Sequence, residues 1–178
     1  FFGHKLVLGI FAICLFVPVQ LMVIPLFSLE NGFHILDTYW ALILPYTAMT
    51  MPFSVVFVTS FLRTIPREIE EAATIDGCSR LRIMIRIMVP LSIPAFATAL
   101  IFGFLHVWNE FLIALTLTHS ANVRTLPLGL LNFMQQQDQP DFAKIFAALA
   151  ESVVPIFAVF LACQRQFLNG LMAGASKL

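Results

Sequence analysis

The chain has 178 residues and no net charge, with 60% hydrophobic residues, 19 phenylalanines and only 11% charged residues. Soluble domains carry about 25% charged residues, and a water-soluble fold of this size could not bury so much apolar surface, so part of the solvent must be lipid. The balanced charge gives no footing for nucleic acid, and Cys14, Cys78 and Cys163, with no C-x-x-C pair, suggest neither a zinc site nor a disulfide framework.

Crossing the hydrocarbon takes about 20 apolar residues, and four runs qualify. The first, over 6–29, carries no charge and lacks a small-residue cleavage site, so it does not read as a signal peptide. Because the sequence starts at Phe1, the expectation is the C-terminal part of a longer protein. A second uncharged run covers 38–62. The third extends from Ile87 to Thr118, long enough to hold a surface segment before a span over about 91–118. Only His106, Asn109 and Glu110 interrupt it. The fourth covers 145–164 and contains Glu151. Pro18, Pro25, Pro45, Pro52, Pro94 and Pro155 fall in these runs. Each removes a backbone donor and invites a kink, which lean together towards a transporter or channel, although proline is commoner in membrane helices generally.

Between the second and third spans lies a charged loop over 63–90, holding Arg63, Arg67, Arg80, Arg82 and Arg86. It reads as two short helices joined by a turn. Pro66 suits a first helical position, and Glu68, Glu70 and Glu71 complement the helix dipole. Ile69, Ala72, Ala73 and Asp76 have the spacing of one helical face, nearly bare because of its two alanines. Gly77 stops that helix and Ser79 caps the next. Leu81, Met84, Ile85 and Met88 form an apolar stripe with Arg82 and Arg86 on another face, as in a helix lying at a lipid interface. Pro90 and Pro94 mark the turn into the third span. A bare face suits a helix seated in a partner's groove; a solvated connecting loop is the bland alternative.

Orientation follows from the cations. With the N-terminus cytoplasmic, Lys5, the five loop arginines, Arg165 and Lys177 fall inside, against Arg124 and Lys144 outside. The positive-inside rule therefore predicts both termini in the cytoplasm.

The stretch "EAATIDGCSRLRIMIRIMVP" resembles the EAA motif of ABC importer permeases, E-A-A-x3-G-x9-I-x-L-P. Glu71, Ala72, Ala73, Gly77, Ile87 and Pro90 match it, with Val89 in place of Leu. "WNEFLIALTLT", "RTLPLGLLNF" and "QRQFLNGLMAGASKL" resemble carbohydrate-uptake permeases of the maltose and glycerol-phosphate type, in particular their second permease subunit. The resemblance implies an all-α membrane protein, a type-1 ABC importer transmembrane domain with four of the usual six helices. It also implies residence in a bacterial or archaeal cytoplasmic membrane. The helix carrying Glu71, Ala72, Ala73, Asp76 and Gly77, with Ile87 and Pro90 behind it, would couple to a cytoplasmic ATPase. Implied partners are a second permease, two ATPase subunits, a periplasmic or lipid-anchored sugar-binding protein and membrane lipid. ATP and Mg would belong to the ATPase; no phosphate-binding G-x-x-x-x-G-K-[ST] occurs here, and no catalytic residue, cofactor or metal is expected on this chain.

Charges inside spans are functional candidates by default. Asn109, Glu110 and Glu151 would line the solute path, act as a gate, bond between helices, or sit in water near the outer interface. His106 and Glu110, four apart, are too few for a catalytic zinc site. Trp108 and Tyr39 read as interfacial belt aromatics. "TLPLGLLNFM" reads as a short helix across the outer mouth, and "QQQDQPD" as a polar turn. Other readings are a type-1 importer permease for an amino acid, peptide or phosphate, half of an ion-driven carrier, and a non-transporting scaffold.

Overall fold

The computed structural model describes residues 2–135 and 142–175, without the side chains of 132–135 and 165–175. Lys177 and most of the expected polar turn, from residue 136 onward, lie outside the described residues. Every regular element among the described residues is a helix: the chain is an all-α membrane domain.

The first apolar run does not form one straight span. It divides into α1 (His4–Cys14) and α2 (Val19–Gly32), whose axes meet at 100°. The cause is Pro18, which stands at the N-cap of α2 with ψ 130. A proline disfavours helical backbone in the residue before it, so α1 ends and the chain turns. α1 then packs on α3 (Trp40–Leu62). At 23 residues, α3 is about 34 Å long, enough to cross the hydrocarbon. Pro45 and Pro52 lie within it. Nearby, the hydroxyls of Thr47, Thr50 and Ser54 each donate to the carbonyl four residues back, so these polar groups are satisfied without water.

Next comes α4 (Arg67–Ile75), then an elbow made of α5 (Arg80–Ile83), a π-turn (Met84–Met88) and α6 (Val89–Leu91). Pro90 explains the π-turn: a proline ring collides with the carbonyl four residues back, and widening the turn relieves the crowding. Val89 N–H accordingly donates to Met84, five residues back. At Ser92 the elbow bends by 62° into α7 (Ile93–Trp108). Ser92 is fully buried, and both its N–H and its hydroxyl donate to the Met88 carbonyl.

The third expected span is thus interrupted twice, at Ser92 and again after Trp108. The chain breaks at Asn109–Phe111 and resumes as α8 (Leu112–Leu117). A single 3-10 turn (Ala121–Val123) leads to α9 (Leu126–Gln135), and α10 (Phe142–Ala175) closes the chain against α7. The stretch Phe142–Gln164 of α10 is long and apolar enough to cross a membrane, as is α3.

Burial concentrates at one end. Ala41, Leu42 and Tyr46 of α3 enclose Ile113, Ala114 and Leu117 of α8, with Leu128 of α9 beside them. Much of the remaining apolar surface is exposed, as befits helices that face lipid or other chains.

Asp37 clips this end together. Its backbone is left-handed, φ 58, a conformation Asp tolerates better than most residues. That turn aims its carboxyl at the far segment: Oδ1 accepts the N–H groups of His119 and Ser120, both at 2.8 Å. Asp37 N–H donates to Leu117 at 2.9 Å, and Tyr39 hydroxyl donates to the Asn122 carbonyl at 3.0 Å. The Ser120 and His119 amides hold the Asp37 carboxyl below the usual carboxylate range. Because the folded pKa is depressed, the clip's contribution is complete above the unfolded value, about 3.9, and fades as pH falls through the folded value. Hydrogen-exchange protection at the His119 and Ser120 amides should drop in Asp37→Ala at neutral pH. In the unaltered chain the same loss should appear only below about pH 4. Equal protection in both proteins at neutral pH would show that Asp37 does not hold the loop.

Candidate functional site

Two places carry the residues singled out from sequence. The first is α4 and its exit. Pro66 stands at the N-cap, one residue before the expected position, with Glu68 and Glu70 in the first turn. The C-terminus is a Schellman motif. Gly77 is left-handed, φ 78, its N–H donates to Thr74, and Cys78 N–H donates to Ala73, both at 3.0 Å. Ser79 then caps α5, its hydroxyl oxygen accepting from Arg82 N–H at 3.4 Å. The turn leaves α4 and α5 in contact.

The bare face is split by burial. Ala73 is 6% exposed, turned towards the rest of the chain, whereas Glu71, Ala72, Asp76 and Gly77 are exposed. Ile87 is half-buried and Pro90 exposed. The outermost face, opposite Ala73, carries Glu68, Glu71 and Ile75 at i, i+3 and i+7 spacing. Ile75 is 86% exposed, and the apolar pattern had not singled it out. Ile69, on the same helix, is far less exposed, at 37%.

The second place is the break between α7 and α8. Asn109 turns back on its own helix, its amide donating to the Leu105 carbonyl at 2.7 Å. Glu110 turns inward and is 9% exposed. One carboxyl oxygen, Oε1, accepts from Ile113 N–H at 2.9 Å. The other accepts from Ala114 N–H at 3.2 Å and from the Tyr46 hydroxyl at 2.9 Å. Glu110 therefore caps α8 and ties it to α3 inside the apolar core. The helix start is legible in principle from a carboxyl three residues before an apolar turn; Tyr46, 64 residues away in sequence, is not.

Glu151 is not brought to this cluster. It is exposed on α10, and makes no hydrogen bond or ion pair among the described residues. Trp108 stacks on Phe104 with ring centroids 5.3 Å apart. Its indole N–H donates to the Ser152 carbonyl at 3.2 Å, which links α7 to α10 beside Glu151. His106 is exposed while Glu110 is enclosed, so the two do not share a site. Between α3 and α7 runs a groove of about 840 Å³ lined by Thr50, Ser54, Thr59, Phe96, Gly103 and Phe104 among others. Since Thr50 and Ser54 donate to their own helix, the groove presents chiefly apolar surface.

Residues 1–170 match the family of binding-protein-dependent transport system inner membrane components. The chain belongs to that family. Its all-α architecture is that of the type-1 ABC importer membrane domain, and the relatives it matches are transport permeases. It is 43% identical over 161 residues to a putative ABC transporter permease protein of a Caldicellulosiruptor species, covering 90% of this chain and 58% of the relative. The sulfoquinovosyl glycerol transport system permease of Agrobacterium fabrum is 37% identical over 90% of this chain and 56% of its own length. The trehalose/maltose transport system permease of Thermococcus litoralis is 35% identical over 99% and 64%. The chain thus spans little more than half the length of these relatives.

Removing the Glu110 carboxyl should destabilise the permease more than removing the Tyr46 hydroxyl. Glu110→Ala loses the cap and strands a buried hydroxyl, about 2–4 kcal/mol together, whereas Tyr46→Phe loses one hydrogen bond, about 1 kcal/mol. Thermal unfolding in detergent measures both. A larger loss for Tyr46→Phe would mean that the cap is not the principal contribution.

Proposed function

We propose that this permease forms half of the path of an ATP-driven carbohydrate importer in a cytoplasmic membrane, with a second permease as the other half. Both ends of the chain would face the cytoplasm. α4 would seat in a cleft of an ATPase subunit and receive its movement, and an extracytoplasmic sugar-binding protein would deliver the solute. ATP and Mg would act on the ATPase. The observation that carries this reading is the exposure of Ile75 at the tip of a short helix held by the Gly77 turn. The printed functions of the sulfoquinovosyl glycerol and trehalose/maltose relatives support a carbohydrate as cargo.

Roles divide by exposure. Glu71, Ala72, Ile75 and Asp76 would touch the ATPase. Ala73 would do something different: its small side chain lets α4 lie close to α5, so movement of α4 is passed on rather than absorbed. Gly77 sets the angle between the two, and Ile87 and Pro90 belong to the elbow that leads into α7. Asn109 and Glu110 act structurally, at a break where α8 can shift as a unit. Glu151 is the candidate for the path, because a carboxyl facing lipid at the helix centre costs about 2.5–3.5 kcal/mol, and a watered path or a partner chain removes that cost.

Uptake of a panel of labelled sugars by the assembled transporter, with ATP hydrolysis followed in parallel, tests the proposal. Ile75→Asp should reduce uptake by about an order of magnitude or more, as loss of an interface anchor does, while the permease still inserts. Gly77→Pro should do the same, since proline cannot adopt positive φ and removes the N–H bonded to Thr74. Normal sugar uptake in both variants would rule out α4 as the lever, and failure of every sugar in the panel would rule out the cargo.

A further inference from the structure

The elbow Arg80–Leu91 has a surface that the fold leaves unused. Its inner side is anchored by Ile83, 4% exposed, and by Ser92 at the bend. Its outer side carries Leu81, Met84 and Ile85, exposed by 63%, 52% and 56%. Arg82 and Arg86, both exposed, stand one position further round from Leu81 and Ile85, at the same four-residue spacing. Neither guanidinium has a hydrogen-bond or ion-pair partner among the described residues. No Asp or Glu occurs between Asp76 and Glu110, so nothing along this stretch balances the arginines.

Position decides what can. The elbow runs without a loop into α7 at 62°. In the orientation proposed above, the bend at Ser92 would bring the elbow to the cytoplasmic membrane surface. Apolar side chains beside arginines, in that location, match the boundary between acyl chains and phosphates. α4 offers the opposite chemistry, with Glu68, Glu70, Glu71 and Asp76 around Ile75, so the two helices call for different partners.

We propose that the elbow is a binding site for an anionic phospholipid of the cytoplasmic leaflet. Arg82 and Arg86 hold the phosphate, while Leu81, Met84 and Ile85 enter the acyl boundary. Because this surface adjoins the Gly77 turn, a bound lipid braces the fixed end of the α4 lever. The inference rests on the orientation proposed above, but not on the identity of the cargo.

The assembled transporter, reconstituted in nanodiscs holding both phosphatidylglycerol and phosphatidylcholine, provides the test. Native mass spectrometry of the released complex counts each lipid retained. The unaltered protein should retain phosphatidylglycerol preferentially. The double variant Arg82→Gln, Arg86→Gln should weaken that preference by roughly 25-fold, about fivefold for each arginine, and the corresponding double lysine variant should keep most of it. Should the double glutamine variant fail to assemble, raising salt on the unaltered protein should erode the preference instead. An unchanged preference in the variant, or a salt-insensitive one in the unaltered protein, overturns the proposal. So does loss of the ATPase subunits from the variant with lipid retention intact. Labelling of Cys78 by an impermeant thiol reagent separates the two readings. Reaction only from outside the cell refutes the orientation, whereas a cytoplasmic Cys78 with no lipid preference refutes the lipid site alone.

Discussion

Glu110 is a carboxyl group in an apolar core, and the surrounding fold is arranged around satisfying it. Three donors converge on it: two amides of the helix it caps and one hydroxyl from a helix far away in sequence. An acceptor left without them would carry a full desolvation penalty. Its presence therefore determines where α8 begins and holds α3 within reach. Ile113 and Leu117, each 1% exposed, pack under that constraint. At the outer edge of the same cluster, Asp37 repeats the device with backbone amides of the segment that follows α8. Two carboxyl groups thus hold both ends of a six-residue helix too short to be stable by itself.

At the other end of the molecule charge is separated by sign. α4 is acidic and the elbow basic, and the left-handed Gly77 stands at the turn between them. Such an arrangement would suit the proposed coupling. α4 contacts α5 and buries its small residue Ala73, and the elbow continues directly into a helix that packs on both α3 and α10. Under the proposed coupling, motion applied at Ile75 would meet only the short turn 76–79 before the elbow and α7.

Much of this was legible along the chain. Apolar run length and the near absence of charge are enough to require a membrane, because no other solvent accommodates that surface. Gly77 and Ser79 announce a helix stop and a cap, since local backbone chemistry depends on few neighbours, and both are found there. Less legible were the consequences of proline. Pro18 was expected to bend a span, yet it separates two helices at 100°. Pro90 was read as a turn, yet it widens the preceding turn into a π-helix. That shift alters which residues share a face, so a stripe drawn at regular spacing through Met88 does not hold: Met88 is half-buried while Leu81, Met84 and Ile85 face outward.

By itself the sequence determined the solvent, the helical class, the existence of a charged loop and the stop at Gly77, all of which follow from composition or from interactions within a few residues. Tertiary structure alone decided that Ala73 turns inward while Ile75 projects, that Trp108 bonds to α10, and that Glu110 meets Tyr46. Those outcomes depend on how helices lie against one another, and the contacts responsible join residues 44 and 64 positions apart. Pairings at that separation leave no periodic trace, because each partner satisfies its local pattern equally well whether or not the other is near.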